Sequence, residues 1–170
     1  MNEPLPAAPW ARIRKIAAYA ALMCAAAAAH ADFSGTVVRI LDGDTLDVLV
    51  DRAPVRVRLA EIDAPEKGQP FDTKARQALA DLVFRREVRV TEAGQDRHGR
   101  RIGTIFVDGT SANRTMVASG MAWAYRAYLV DRSLIRVEEE ARATKRGLWV
   151  DSDAQAPWQW RAEKRVASAQ

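Results

Sequence analysis

The stretch that decides the fold reads GTVVRILDGDTLDVLVDRAPVRVRL, residues 35–59. Gly35 to Leu41 is rich in Val and Ile, Asp42-Gly43 is a turn dipeptide, and Thr45 to Val50 alternates apolar with polar residues. Asp51 to Pro54 supplies a second turn. Beyond it Val55, Val57 and Leu59 point one way and Arg56 and Arg58 the other, because successive strand side chains face opposite sides. These residues predict a meander of three strands. Pro65 ends the third, and Lys67-Gly68-Gln69-Pro70 is a loop.

Downstream the period changes. Ala75, Ala78, Leu79 and Leu82 fall at i, i+3, i+4 and i+7, one stripe of a helix beginning near Asp72. Glu87 to Thr91 and Arg101 to Val107 read as two further strands joined by a polar loop containing His98. Ser111 to Ser119 makes a short helix stopped by Gly120. A last helix fits Arg132 to Thr144, with Leu134, Val137 and Ala141 inward and Gly147 as its terminator. Five strands interrupted by a helix and followed by helices predict an α+β protein: a β-barrel with helices, matching the five-stranded OB-fold with about three α-helices.

Three parts are expected: a signal peptide at 1–31, the barrel domain at 32–150 and a polar C-terminal tail at 151–170. Arg12, Arg14 and Lys15 precede an uncharged run, Ile16 to Ala29, and Ala29-His30-Ala31 reads as a small-x-small cleavage site. That run has 14 residues, short of the roughly 20 that a spanning helix needs. Export to the periplasm or the medium is therefore the expected localisation, with no membrane attachment after cleavage. Cleavage removes the single cysteine, three basic residues and Glu3, taking the net charge from +4 to +2. Global charge is then a weak argument for a polyanionic partner, and local arrangement must carry it. The tail carries Trp158 and Trp160, expected to pack locally before the chain frays.

Three patches carry chemistry. In Asp42-Gly43-Asp44-Thr45 the turn accounts for the first aspartate, but Asp44 opens a strand, where Asp is disfavoured. The strand Val57 to Ile62 ends in Asp63-Ala64-Pro65-Glu66. Hard cations take several oxygen ligands, so Asp44, Asp63 and the Ala64 carbonyl at neighbouring strand ends are candidate ligands. Glu66, just beyond, is placed to reach a water rather than the metal. Asp96-Arg97-His98-Gly99-Arg100 is by default a charged hairpin loop, and Arg58 by default a solvated mid-strand residue. Two arginines opposite a metal would instead stabilise charge on a phosphate, because guanidinium forks match phosphate oxygens two at a time.

Gly-Asp-Thr after the first strand (Gly43 to Thr45), Arg-Leu-x-x-Ile-Asp-Ala-Pro-Glu (Arg58 to Glu66) and Asp-x-His-Gly-Arg (Asp96 to Arg100) resemble the staphylococcal nuclease (thermonuclease) family. The resemblance runs from about Gly35 to Trp149. It implies an OB-fold barrel with three helices and a Ca2+-dependent phosphodiesterase that acts on DNA and RNA and leaves 3′-phosphate and 5′-hydroxyl ends. By position Asp44, Asp63 and the Ala64 carbonyl resemble the calcium ligands, and Asp42 an acid just outside that shell. Arg58 and Arg100 match the phosphate-clamping arginines, and Glu66 the carboxylate that orients or deprotonates the attacking water. Arg97, His98 and Tyr128 stand at substrate-binding positions. The loop after Glu66 is shorter than in the best-studied member, where Ala64 is a threonine.

The expected protein is a monomeric nuclease with no stable protein partner. Two rivals share parts of the pattern. A non-catalytic OB-fold module would hold nucleic acid without cutting it, and a calcium-binding structural domain would use the acids and leave Arg58 and Arg100 idle.

Overall fold

Alternating apolar residues on five strands build the centre of this protein. The structure, a computed structural model, describes residues 32–168. The expected signal peptide lies outside the described residues. The strands are β1 (Phe33–Ile40), β2 (Thr45–Val50), β3 (Ala53–Leu59), β4 (Ile62–Asp63), β5 (Glu87–Gln95), β6 (Arg101–Val107), β7 (Thr110–Ser111) and β8 (Trp123–Ala124). The main sheet runs β3-β2-β1-β5-β6-β7, and β3 also pairs with β6, which closes five strands into a barrel. The closing pair is parallel, Val57 opposite Arg101 and Leu59 opposite Gly103. A parallel pair needs a long crossover, here supplied by a helix and β5. Val37, Leu46, Val48, Val57, Val90 and Ile105 are fully buried inside.

Strict alternation fails in β1, where Val37 and Ile40 both face inward although three residues apart. A bulge between Val37 and Arg39 inserts the extra residue and leaves Val38 outside. A second irregularity, between Glu92 and Gly94, bends β5. Such bulges provide the curvature that closure demands.

Helix α1 (Asp72–Val83) buries Ala75, Leu79 and Val83, so the inward stripe is turned toward Val83, with Ala78 and Leu82 half-buried at its side. Helix α2 (Ala112–Ala118) carries buried Asn113, whose Oδ1 accepts the Ile105 N–H (3.0 Å) and whose Nδ2 donates to the Ala60 carbonyl (2.9 Å). That side chain ties β6 to the end of β3. Helix α3 (Ser133–Ala143) buries Leu134, Val137 and Ala141 as expected, together with Glu138, which holds the i+4 place of the same stripe although its charge argues against burial.

The expected fraying of the tail is corrected. Pro157–Ala167 is a fourth helix, α4, within the described residues. Pro157 opens it at a position where a missing N–H costs nothing, and the Gln159 Oε1 accepts the Ala156 N–H at 3.2 Å. Trp158 does pack locally, stacked on Tyr125 with ring centroids 5.5 Å apart and planes 10° apart. No helix among the described residues is long and apolar enough to cross a membrane.

Glu138 is the polar hub of this half. Its carboxylate accepts the Ala124 N–H at 2.8 Å, Arg126 Nη1 at 3.0 Å and Arg142 Nη2 at 2.7 Å. Ala124 sits in β8, whose partner β4 carries Asp63. Glu138→Leu strands the buried Ala124 N–H while both arginines, being half-exposed, regain water. The expected loss is about 2 kcal/mol of unfolding free energy, read by urea denaturation. An unchanged denaturation midpoint would contradict this role.

Candidate active site

The site grows from two turns. The Asp42 Oδ1 accepts the Asp44 N–H at 3.0 Å, and the Leu41 N–H donates to the Thr45 carbonyl at 2.9 Å, so the Asp-Gly-Asp turn folds on itself. A Cβ on Gly43 would lie 2.7 Å from the Ala64 Cβ and 2.8 Å from the Ala75 Cβ. Only glycine lets this turn press against both the Asp63-Ala64 corner and α1. Asp44 is thereby buried and its Oδ2 accepts the Ala64 N–H at 2.7 Å. Asp63, 1% exposed, is held by the β4–β8 pair opposite Trp123.

Arg58 joins the two acids. Its Nη2 lies 2.9 Å from Asp63 Oδ1 and 3.1 Å from Asp44 Oδ2. Two carboxylate oxygens reached by one nitrogen must converge on one small volume. The Nη1 donates to the carbonyls of Leu59 (2.8 Å) and Ile62 (2.9 Å). Arg58 is therefore not the solvated mid-strand residue of the default reading; its side chain is only 15% exposed.

Glu66 lies on the following loop, whose backbone is tied by Gln69. Its Oε1 accepts the Glu66 N–H, while its Nε2 donates to the Gln155 carbonyl ahead of α4. The Glu66 carboxylate meets Arg161 of α4. The same guanidinium forks onto Asp63, Nη1 to Oδ1 at 3.2 Å and Nη2 to Oδ2 at 2.8 Å. Arg161 is the functional-site residue that sequence reading misses. Its only trace there is a position three residues after Trp158, which places both on one side of a helix.

Charge is crowded here. Burial raises the Asp63 carboxyl above its ordinary range, opposed by the Arg161 hydrogen bond and the Arg58 charge and reinforced by Asp44. Burial, then repulsion by Asp44, pushes Asp42 up to about 6. Burial works against the Arg161 charge, but bonds to Asp63 and Glu66 outweigh it and keep the guanidinium protonated.

Arg100 lies just before β6 and lines a cleft with Arg56, two residues along from Arg58. Asp96 builds its loop: Oδ1 accepts the N–H groups of His98 (2.9 Å) and Arg100 (3.0 Å), and Oδ2 the Arg100 Nε–H (2.7 Å). Gly99 supplies the left-handed turn, φ +80°. A cleft of about 340 Å³ lies between Asp47, Pro54, Arg56, His98 and Arg100. Arg100 is paired to Asp96 and not to the acid cradle, and the arginine it shares a cleft with is Arg56, not Arg58.

The substrate-binding candidates divide. Arg97 and His98 are exposed on the Arg100 loop, with Arg97 Nε–H donating to His98 Nε2 at 3.1 Å. Tyr128 is 70% exposed on a separate turn, edge-on to Tyr125. Glu61, at φ +64°, anchors that turn: its carbonyl accepts the Tyr125 N–H (2.7 Å) and its carboxylate the Val130 and Asp131 N–H groups. Glu61 was not singled out by sequence.

The donor set suits a hard cation. Asp44 and Asp63 offer carboxylate oxygens and the Asp63-Ala64 corner a backbone carbonyl. Among the described residues no group of three His, Cys, Asp or Glu side chains is placed to hold a metal ion by side chains alone.

Fold and side chains together define a class: a small OB-type barrel with an acid cradle held by guanidinium groups. A family model, staphylococcal nuclease homologue, matches residues 56–151. The chain is 50% identical over 169 residues to a protein of Shigella flexneri named micrococcal nuclease, covering 93% of this chain and 97% of that one. It is 51% identical over 165 residues to Protein ParB of Escherichia coli, covering 91% and 93%. It is 45% identical over 135 residues to an uncharacterized endonuclease of Escherichia coli O157:H7, covering 79% and 88%. The chain belongs to the staphylococcal nuclease family, a family of enzymes that hydrolyse phosphodiester bonds.

Proposed function

We propose that this chain is an exported, monomeric, calcium-dependent nuclease that cleaves DNA and RNA and leaves 3′-phosphate and 5′-hydroxyl ends. The observation that carries the reading is the convergence of Asp44 and Asp63 on the one Arg58 nitrogen. Asp44, Asp63 and the Ala64 carbonyl would hold Ca2+, with Asp42 just outside. Bound there, calcium supplies Lewis-acid polarisation of a phosphate oxygen and a template for water and substrate.

The remaining work falls to the protein's own groups. Glu66 accepts a hydrogen bond or proton from the attacking water, whose oxygen bonds to phosphorus as the bond to the 5′-oxygen breaks. The leaving oxygen takes up a proton and departs as the 5′-hydroxyl, and the phosphate stays on the 3′ side. Arg58 and Arg100 neutralise charge gathering on the non-bridging oxygens. Arg97, His98 and Tyr128 contact the neighbouring nucleotides. Export rests on the Arg12-to-Ala31 pattern alone.

Digestion of plasmid DNA and of RNA, with calcium or with chelator, tests the reading. The expected outcome is fragmentation in calcium and a loss of about a thousandfold in chelator. A mobility shift without fragments would leave the binding module, and neither effect the structural domain.

A further inference from the structure

The calcium cradle already receives a cation from within the chain. Arg161 engages both oxygens of Asp63 and reaches Glu66, the two carboxylates that ion binding and water activation each require. The Asp63 Oδ1 also accepts from Arg58, so both Asp63 oxygens are committed. We propose that α4 is a built-in gate whose Arg161 guanidinium competes with the divalent ion, so that calcium binding and docking of α4 oppose one another. This rests on the calcium reading given above.

How α4 is held supports a movable element. Apolar anchoring is confined to its first turn, where Pro157 is buried and Trp158 and Trp160 are half-buried, Trp158 against the cluster of Trp123, Trp149 and Ala156. Beyond that turn the helix is largely exposed, Val166 at 61%. Docking depends on Arg161, on the Trp158 ring over Tyr125, on Gln69 reaching the Gln155 carbonyl and on a long Lys164 contact to the Lys67 carbonyl. Segments with few buried apolar contacts open at low free-energy cost. The family match ends at residue 151, before α4 begins. The same helix also covers the Tyr125 face beside Tyr128, so undocking would free cradle and aromatic platform together.

A guanidinium and a hard cation cannot share the same carboxylate oxygens at full strength. Losing Arg161 must then favour the ion, and by reciprocity the ion must loosen α4. The test compares the chain with Arg161→Gln by isothermal titration of calcium chloride, and follows amide hydrogen exchange across 157–167 with and without calcium. The expected results are calcium affinity about tenfold tighter in Arg161→Gln, and α4 exchange that rises with calcium in the unmodified chain. Trp158→Ala, which weakens docking without touching the cradle, should shift calcium affinity in the same direction.

Equal or weaker affinity in Arg161→Gln, with circular dichroism unchanged, overturns the gate and leaves the calcium site standing. So does a fall in cleavage rate without any change in affinity, which would make Arg161 a phosphate contact. Absence of calcium heat in every protein overturns gate and calcium reading together.

Discussion

Glu66→Gln is expected to lower phosphodiester cleavage by about a thousandfold and to leave the fold intact, the range for removing a positioned general base, which is the role proposed for Glu66. The carboxylate's structural contact is with Arg161, where an amide oxygen can still accept the hydrogen bond although it loses the charge. The Glu66 backbone is fixed by Gln69, through N–H to Oε1 at 2.9 Å and the returning Gln69 N–H to the Glu66 carbonyl at 2.8 Å. Its side chain is more than a third exposed and meets one partner, Arg161. Glutamine keeps that length and an acceptor oxygen, but it cannot take a proton from water. Initial rates on a fluorogenic oligonucleotide, with thermal melting as the control, read the effect. A rate within threefold of the unmodified enzyme at an unchanged melting temperature would remove Glu66 from the chemistry.

Most of the barrel was legible because its signals are local. β2 and β6 fall where alternation and turn residues put them, Thr45–Val50 and Arg101–Val107. Helices α2 and α3 were likewise marked by stripe and stop residues. Two-residue strands such as β4 and β8 are too short for any period, so the clamp that holds Asp63 was invisible. Buried charge was also unreadable. Glu138 falls on the inward stripe of its helix, four residues after Leu134, but a lone glutamate there reads as a break in the stripe until its partners Ala124, Arg126 and Arg142 are seen. Arg161 lies 98 residues from Asp63, a pairing that no spacing rule encodes. Arg58 was legible as a residue but not in its setting. The turn through Glu61 at φ +64° brings the Ile62 carbonyl back toward β3, and only that geometry draws the guanidinium off the barrel wall.

That setting makes Arg58 the second large effect. Arg58→Lys is expected to cut the cleavage rate by about two to three orders of magnitude, the cost of losing one preorganised donor at a charge-building oxygen. The guanidinium is oriented before substrate arrives, since Nη1 is committed to two carbonyls while Nη2 faces the acids. An ammonium is a single point and cannot hold the Leu59 and Ile62 carbonyls while also reaching outward. Arg58→Ala adds a stability effect, because Asp44 and Asp63 are left buried without the charge between them. The expected loss is about 3 kcal/mol in chelator, partly restored by calcium. The two variants separate phosphate binding from ion binding. With the arginine gone the acids face less competition, so calorimetric calcium affinity should hold or tighten while turnover collapses. A calcium affinity that fell in parallel with the rate would mean that Arg58 builds the ion site instead of meeting the phosphate.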